Sequence, residues 1–332
     1  MRNSVAALAV LCLLAACEGN PINTGLTVDP PEDDDPTTPI DPDPDPDPDG
    51  DTTADGVPLT VAVNLETIAF DPVADTLSVT IDSLDGTPVA VNYVRTPGPE
   101  ADLPPGYRFY TLQEDPLDRF FAAVVAQSAD GTATGAIVAD GGQFNREFHG
   151  GFFDRTGGFD APPVGPGPGQ GQVSYAGSYV GLDDYSGIIP PLPQGADPAL
   201  QMRGPGRVTG QVFINANFAE MTLNGAVFNR QLIDLGGAML PNLVLVVTDI
   251  DEDGRFEGEV EQNRVVNGMG VIEPVGDYAG LFSGPNASSI AAALVIENFN
   301  PDLFDETETG LIVLNQCGRP GEDTALCDGA AP

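Results

Sequence analysis

The sequence predicts an all-β fold: a small N-terminal β domain followed by an eight-stranded antiparallel up-and-down β-barrel. Three observations carry that prediction. Apolar residues alternate with polar ones in short runs, and no amphipathic run of helical period stands out. Gly, Asp-Gly and Pro break the runs every ~8–15 residues, drawn from 40 glycines and 32 prolines in a chain of 332. Beyond residue 171, eight such runs follow one another. Eight strands close into a barrel just wide enough for side chains to fill.

In chain order, residues 1–16 read as a targeting segment. Positions 5–16 are apolar throughout, with Arg2 as the only charge before them. That run falls short of the ~20 residues a membrane-crossing helix needs, so it reads as the core of a secretory signal. It ends Leu14-Ala15-Ala16-Cys17, which resembles the bacterial lipobox. The resemblance implies cleavage before Cys17, lipid on its sulfur and an acyl chain on the new amine. The alternative is an ordinary signal peptide that happens to contain Cys17. Glu18, in place of the Asp that most often retains lipoproteins on the inner membrane, favours the outer membrane. Cys12 leaves with the signal.

Residues 17–56 are expected to be a disordered tether. Positions 18–56 carry thirteen acidic residues and no basic one, centred on four Asp-Pro repeats at 41–48. Such a stretch buries too little apolar area to offset its ordering entropy. Proline and self-repulsion extend it, at ~3.1 Å per residue, to on the order of 100 Å.

The N-terminal domain, 57–160, has candidate strands at 60–70, 76–81, 89–93, 107–113, 120–127, 134–140 and 143–153. Asp85-Gly86 and Asp130-Gly131 supply hairpin turns. The run 120–126 does not alternate and is also compatible with a short helix. Residues 161–171 (APPVGPGPGQG) read as an inter-domain linker. They are no phosphate loop, since they lack GK[ST] and proline removes the amide donors.

The barrel, within 172–332, has strands at 172–182, 207–217, 219–229, 242–249, 255–262, 276–283, 289–298 and 309–315. Phe256, Gly258 and Val260 face one way and Arg255, Glu257, Glu259 and Glu261 the other, giving one buried and one wet face. Val212, Ile214, Ala216, Phe218, Ile290, Ala292, Leu294 and Ile296 are expected to fill the interior, which leaves loops as the better place for function.

The tract Gly280-Leu281-Phe282-Ser283-Gly284-Pro285-Asn286-Ala287-Ser288-Ser289-Ile290-Ala291-Ala292 resembles the barrel signature G-x-F-Y-G-P-x-A-x-E-[hydrophobic]-x-G of transferrin-binding protein B-type surface lipoproteins. Tyr175-Ala176-Gly177-Ser178-Tyr179-Val180-Gly181, Leu223-Asn224-Gly225-Ala226-Val227 and Phe256-Glu257-Gly258 resemble other strands of that family. Ser283 replaces the tyrosine, Ser289 the glutamate and Ala292 the final glycine. The resemblance spans about 172–315. It implies a single lobe, with 57–160 as a handle-like domain, held on a lipid anchor and used to bind a partner, in some members an iron-carrying host protein. It transfers no binding residue.

Composition excludes several chemistries. All twelve basic residues are arginines, so Schiff-base and Walker A sites are absent. One histidine rules out a His-rich metal site. A net charge of −38 opposes nucleic-acid binding by phosphate neutralisation. No cofactor is expected.

Cys317 and Cys327 are expected to pair in an exported protein, clasping the tail; the rival reading, two metal ligands, lacks further partners. Asp249, Asp251 and Asp253 open a D-x-D-x-D-G pattern that reads as a hairpin turn or, alternatively, as a weak Ca²⁺ site, since Val260 replaces the glutamate at its twelfth position. His149, as the only histidine, is the one ordinary general base near neutral pH, and also reads as a strand-end residue. The ligand-binding residues stay unassigned. Together these features point to a non-enzymatic, monomeric outer-membrane lipoprotein that binds a protein or small solute through barrel and handle loops. The alternative is a structural or adhesive envelope component; a hydrolase using paired carboxylates ranks third.

Overall fold

The computed structural model describes residues 52–82, 89–142, 146–165, 170–184, 194–197, 203–266, 269–299 and 306–329. Cys17, the Asp-Pro repeats, the Asp85-Gly86 turn and part of the Pro/Gly segment lie outside the described residues.

Seven antiparallel strands come first: β1 (Leu65–Asp71), β2 (Thr76–Ile81), β3 (Val89–Arg95), β4 (Tyr107–Leu112), β5 (Phe121–Gln127), β6 (Ala133–Asp140) and β7 (His149–Arg155). They pair in chain order and curl into a nearly closed barrel. Two one-turn helices accompany them, α1 (Leu59–Ala62) before β1 and α2 (Pro97–Glu100) between β3 and β4.

The second unit is the closed, eight-stranded antiparallel barrel: β8 (Gln172–Asp183), β9 (Gly206–Asn217), β10 (Thr222–Leu232), β12 (Leu243–Asp249), β13 (Arg255–Val266), β14 (Met269–Ser283), β15 (Ser289–Glu297) and β16 (Thr307–Asn315). The ring closes where β16 pairs with β8. A two-residue strand, β11 (Ala238–Met239), adds to β10, and α3 (Thr324–Gly329) ends the described chain.

Alternate residues fill the interior as the patterning requires. Val212, Ile214, Ala216, Phe218, Phe256, Val260, Ile290, Ala292, Leu294 and Ile296 belong to one buried cluster. On the outer wall, Ala279, Leu281, Ala291 and Ala293 pack with Leu77, Val79, Val138 and Phe152 of the first sheet. Val180, Leu182 and Leu311 do the same with Phe109, Val124 and Ile137. Small residues permit this close approach: a Cβ added to Gly151 would stand 2.3 Å from the Cβ of Ala293. Each large aliphatic side chain buried there, such as Leu281 or Leu311, contributes about 1.5–3 kcal/mol.

Three expectations change and one open reading closes. The span predicted as one strand over 60–70 opens as α1, because Val61 and Ala62 are both buried and a strand would turn one of them outward. The ambiguous run 120–126 is a strand, with Ala122 and Val124 buried on one face and Ala123 and Val125 on the other; burial on both faces erases alternation. The last strand of the first sheet runs from His149 to Arg155, past the predicted end at 153; residues 143–145 of that prediction lie outside the described residues. The β13–β14 hairpin extends past its predicted ends, to Val266 and back to Met269.

Candidate functional site

Antiparallel order gathers the ends of β8, β10, β13 and β15 with the starts of β9, β12, β14 and β16 at one mouth of the barrel. The opposite end is plugged. Phe159, from the connection after β7, meets Phe218 at 6.0 Å and Phe282 at 6.3 Å between ring centroids. Phe282 in turn touches Tyr175 and Phe256. The mouth is therefore the candidate functional end.

Inside the mouth lies a charged pair with no solvent exposure. Arg230 Nη2 donates to Glu308 Oε2 at 2.6 Å, Arg230 Nη1 donates to the carbonyl of Pro241 at 2.7 Å, and the guanidinium lies over Phe299. Tyr179 donates its hydroxyl to the other Glu308 oxygen at 2.5 Å. Burial first, and Glu308 second, push the Tyr179 phenol well above its ordinary range. Among the described residues, Arg230 Nε and Gln262 Oε1 find no hydrogen-bond partner, though both are buried. Strict alternation from Leu223 and Val227 would aim residue 229 inward and Arg230 outward. The register shifts between Phe228 and Gln231, with Asn229 at φ +52°, and this bulge turns Arg230 into the barrel.

A polar seam joins the first sheet to the rim. Thr307 donates its hydroxyl to Glu147 at 2.8 Å and its amide to Asp184 at 2.9 Å. Burial, then the hydrogen-bonded Glu147, push the Asp184 carboxyl up to about 9. His149 is buried beside them, its Nδ1 2.8 Å from Thr309 Oγ1. Burial lowers its pKa and Glu147 partly restores it. Arg207 clamps the rim from another side, pairing with Asp234 at 2.6 Å and Asp102 at 3.1 Å, and donating to the carbonyl of Pro99. Above this frame Leu235 and Met239 stand 50% and 63% exposed.

The residues singled out in the sequence do not converge here. Cys317 and Cys327 form a disulfide at the plugged end, where Cys317 donates its amide to the Ser174 carbonyl; Glu322 lies close to both sulfurs, which the bond occupies. The 249–254 segment forms the β12–β13 hairpin turn, with Asp251 Oδ1 accepting from the amides of Asp253 and Arg255. The carboxylates of Asp249, Asp251 and Asp253 do not gather within 4.8 Å of one another. His149 begins β7 at the seam. Sequence reasoning missed Arg230, Glu308, Glu147 and Asp184. Only Asn229, a polar residue where alternation calls for an inward apolar one, signals a bulge.

The 280–292 tract is the β14–β15 hairpin, docked on the β5–β6 turn. Ser288 and Ser289 donate to Asp130 at 2.5 and 3.3 Å, and Ser283 donates to the carbonyl of Thr132. Burial alone would raise the Asp130 carboxyl, yet hydrogen bonds from Ser288, Ser128 and Thr132 hold it down to about 2.

No family model matches the chain, and no curated protein matches it. Solved structures similar to it include intact Ap-TbpB with its N and C lobes, at 12% identity and a TM-score of 0.37, covering 76% of this chain and 46% of that one. Transferrin binding protein B of Haemophilus parasuis Hp5, a Trp-176-Ala mutant, gives 12%, 0.39, 76% and 44%. The isotype 1 protein from serogroup B Neisseria meningitidis gives 12%, 0.33, 76% and 52%. The chain thus spans about half the length of these proteins, and an overlap this slight carries no argument about what it binds.

Proposed function

We propose that this chain is a lipid-anchored outer-membrane protein that binds a protein or small solute at its surface. Cys17 carries the lipid, residues 17–56 act as spacer, and the two β units work as one binding body. The observation that carries the reading is the closed, side-chain-filled barrel behind a lipobox-like Cys17: with the interior packed, the rim and outer walls are what remains to meet a partner. The exposed Leu235 and Met239, held over the Arg207 clamp, fit that role. The motif likeness of the 280–292 tract to partner-binding lipoproteins points the same way.

Protease shaving of intact cells tests it. No arginine lies between Arg2 and Arg95, so trypsin finds no site in the tether, whereas a protease that cuts beside aspartate finds many. The expected result is release of the folded body by the second enzyme. A body that stays cell-associated and intact overturns the surface reading.

A further inference from the structure

One side of the barrel is uncharged. β14, β15 and β16 pack on the first sheet, and across the ring from them stand β9, β10 and β12. In a chain of 50 acids and 12 arginines, no charged residue occurs in 172–182, 208–219, 221–229 or 235–248. These segments make up most of β8, β9, β10 and β12. β13, next in the ring, returns to Arg255, Glu257, Glu259 and Glu261 on its wet face.

A groove of about 770 Å³ lies on this wall, by the plugged end. Strand register sets its lining in rows. Gln172, Asn217 and Thr222 stand side by side, and so do Ser174, Asn215 and Asn224. The next row places Phe213 between Ala176 and Ala226, so the half-buried ring has neighbours too small to wall it off. Val247, on β12, is 63% exposed. Ser174 Oγ donates to Asn215 Oδ1 at 2.8 Å, which leaves the N–H groups of that exposed carboxamide for another partner. The tail forms one wall with Cys317 and Cys327, fixed there by their disulfide. Among the described residues the one charged group of the lining is Glu220, whose carboxylate accepts from Asn217 at 3.0 Å.

We propose that this groove binds an uncharged oligosaccharide, its hydroxyls bonded to Asn215, Asn217 and Asn224 and one face of a sugar ring laid on Phe213. Carboxamides and side-chain hydroxyls both donate and accept, so they match sugar hydroxyls in either sense. The negative face of an aromatic ring attracts the polarised C–H groups of a sugar. Charge and composition decide the occupant. The lining has no cation to meet a phosphate or carboxylate, and Glu220 repels both. It holds no tyrosine or arginine, and the chain no tryptophan, the residues that anchor protein partners. An apolar partner would leave the amides buried and unpaired, and a second copy would bring a net charge of −38 against its equal. The inference rests on the reading of the outer walls as binding surface and names a ligand class for one of them. It is tested in solution, so its outcome is read separately from the shaving result.

The probes are short neutral oligosaccharides of glucose, mannose, galactose and N-acetylglucosamine, with an oligogalacturonate of equal length as the anionic control. Each is titrated by calorimetry into the full chain at about physiological salt, where long-range repulsion of the control is screened. The expected result is saturable binding of at least one neutral probe and none of the control. That binding weakens at least tenfold in Phe213→Ala, and also in Asn215→Asp/Asn224→Asp, which keeps side-chain shape and the acceptor for Ser174. Equal binding by both variants overturns the site. Failure of every neutral probe, or equal binding of the control, overturns the ligand class and needs no variant to fold. A dimer that Phe213→Ala abolishes assigns the wall to a second copy and also overturns the proposal.

Discussion

Arg230 reaches the barrel interior through one irregularity, the Asn229 bulge, and its burial makes it a sensitive position. Removing one member of a buried ion pair leaves the other uncompensated, at a cost of about 3–5 kcal/mol, whereas replacing both with apolar groups is often neutral. Arg230→Met is thus expected to destabilise by that amount, and Arg230→Met/Glu308→Leu to recover most of it; urea unfolding of both variants measures the difference. The seam makes a second prediction, about pH. The unfolded chain releases the Asp184 proton near 3.8 while the folded chain keeps it to about 9, so this carboxyl's contribution is full below pH 4 and is lost as pH rises towards 9. His149 acts in the opposite sense. Its folded pKa lies below 6.5, so the unfolded chain takes up its proton first, and stability falls as pH drops through and below that value. Thermal melts between pH 5 and 9 should show Asp184→Asn flattening the alkaline fall and His149→Gln the acid one. None of this is written in local sequence. Thr307 and Glu147 meet across 160 residues, and no spacing rule links them. The disulfide, by contrast, followed from compartment and count alone, because only Cys317 and Cys327 remain in the folded part.

At the level of elements, the barrel was legible where one face is wet and the other dry. Arg255 to Val260 alternates because its outward side meets water, and the structure places Phe256 and Val260 in the core. β5 was ambiguous for the converse reason: it is covered on both faces, by its own sheet's interior and by the barrel wall, so its sequence reads as a plain apolar run. The contact that covers it depends on small side chains. Gly151 and Ala293 are in near contact, and so are Gly135 and Leu311, whose Cδ1 would stand 2.7 Å from an added Cβ. The closely packed β7–β15 interface leaves no space for more atoms. Gly151→Val is expected to cost at least about 1–3 kcal/mol through overpacking, and to loosen the two units from one another before either barrel unfolds. Hydrogen exchange should then rise first along β7 and β15. The departures of the 280–292 tract from the family pattern find a local reason in the same interface. Ser283 and Ser289, where the pattern has tyrosine and glutamate, join Ser288 in hydrogen-bonding to the turn at Asp130 and Thr132.

Over the whole molecule, charge is divided by sign as well as by place. Arg95, Arg108, Arg119, Arg155, Arg207, Arg230, Arg255 and Arg319 all donate to oxygens within the chain. The folded part carries 37 acids against eleven arginines, and with most of the cations bonded within the chain few are left to meet an anionic partner. That favours cationic partners and keeps copies apart. Residues 18–56 add thirteen acids and no cation. The absence of lysine gives this architecture a direct chemical test. An unprocessed or conventionally cleaved chain has one primary amine, at its N-terminus. A chain cut before Cys17 and acylated on the new amine has none. Acyl chains there would each add about 0.8 kcal/mol of membrane attachment per buried CH₂, so the chemistry that would remove the amine would also strengthen a membrane anchor. Protein purified from membranes, delipidated, unfolded and treated with an amine-reactive dye is therefore expected to take up no dye, while the Cys17→Ser variant, if secreted and cleaved at all, takes up one per chain. One dye per chain in the unaltered protein would mean that the N-terminus is uncleaved or conventionally cleaved, and would overturn the proposed N-acylated anchor.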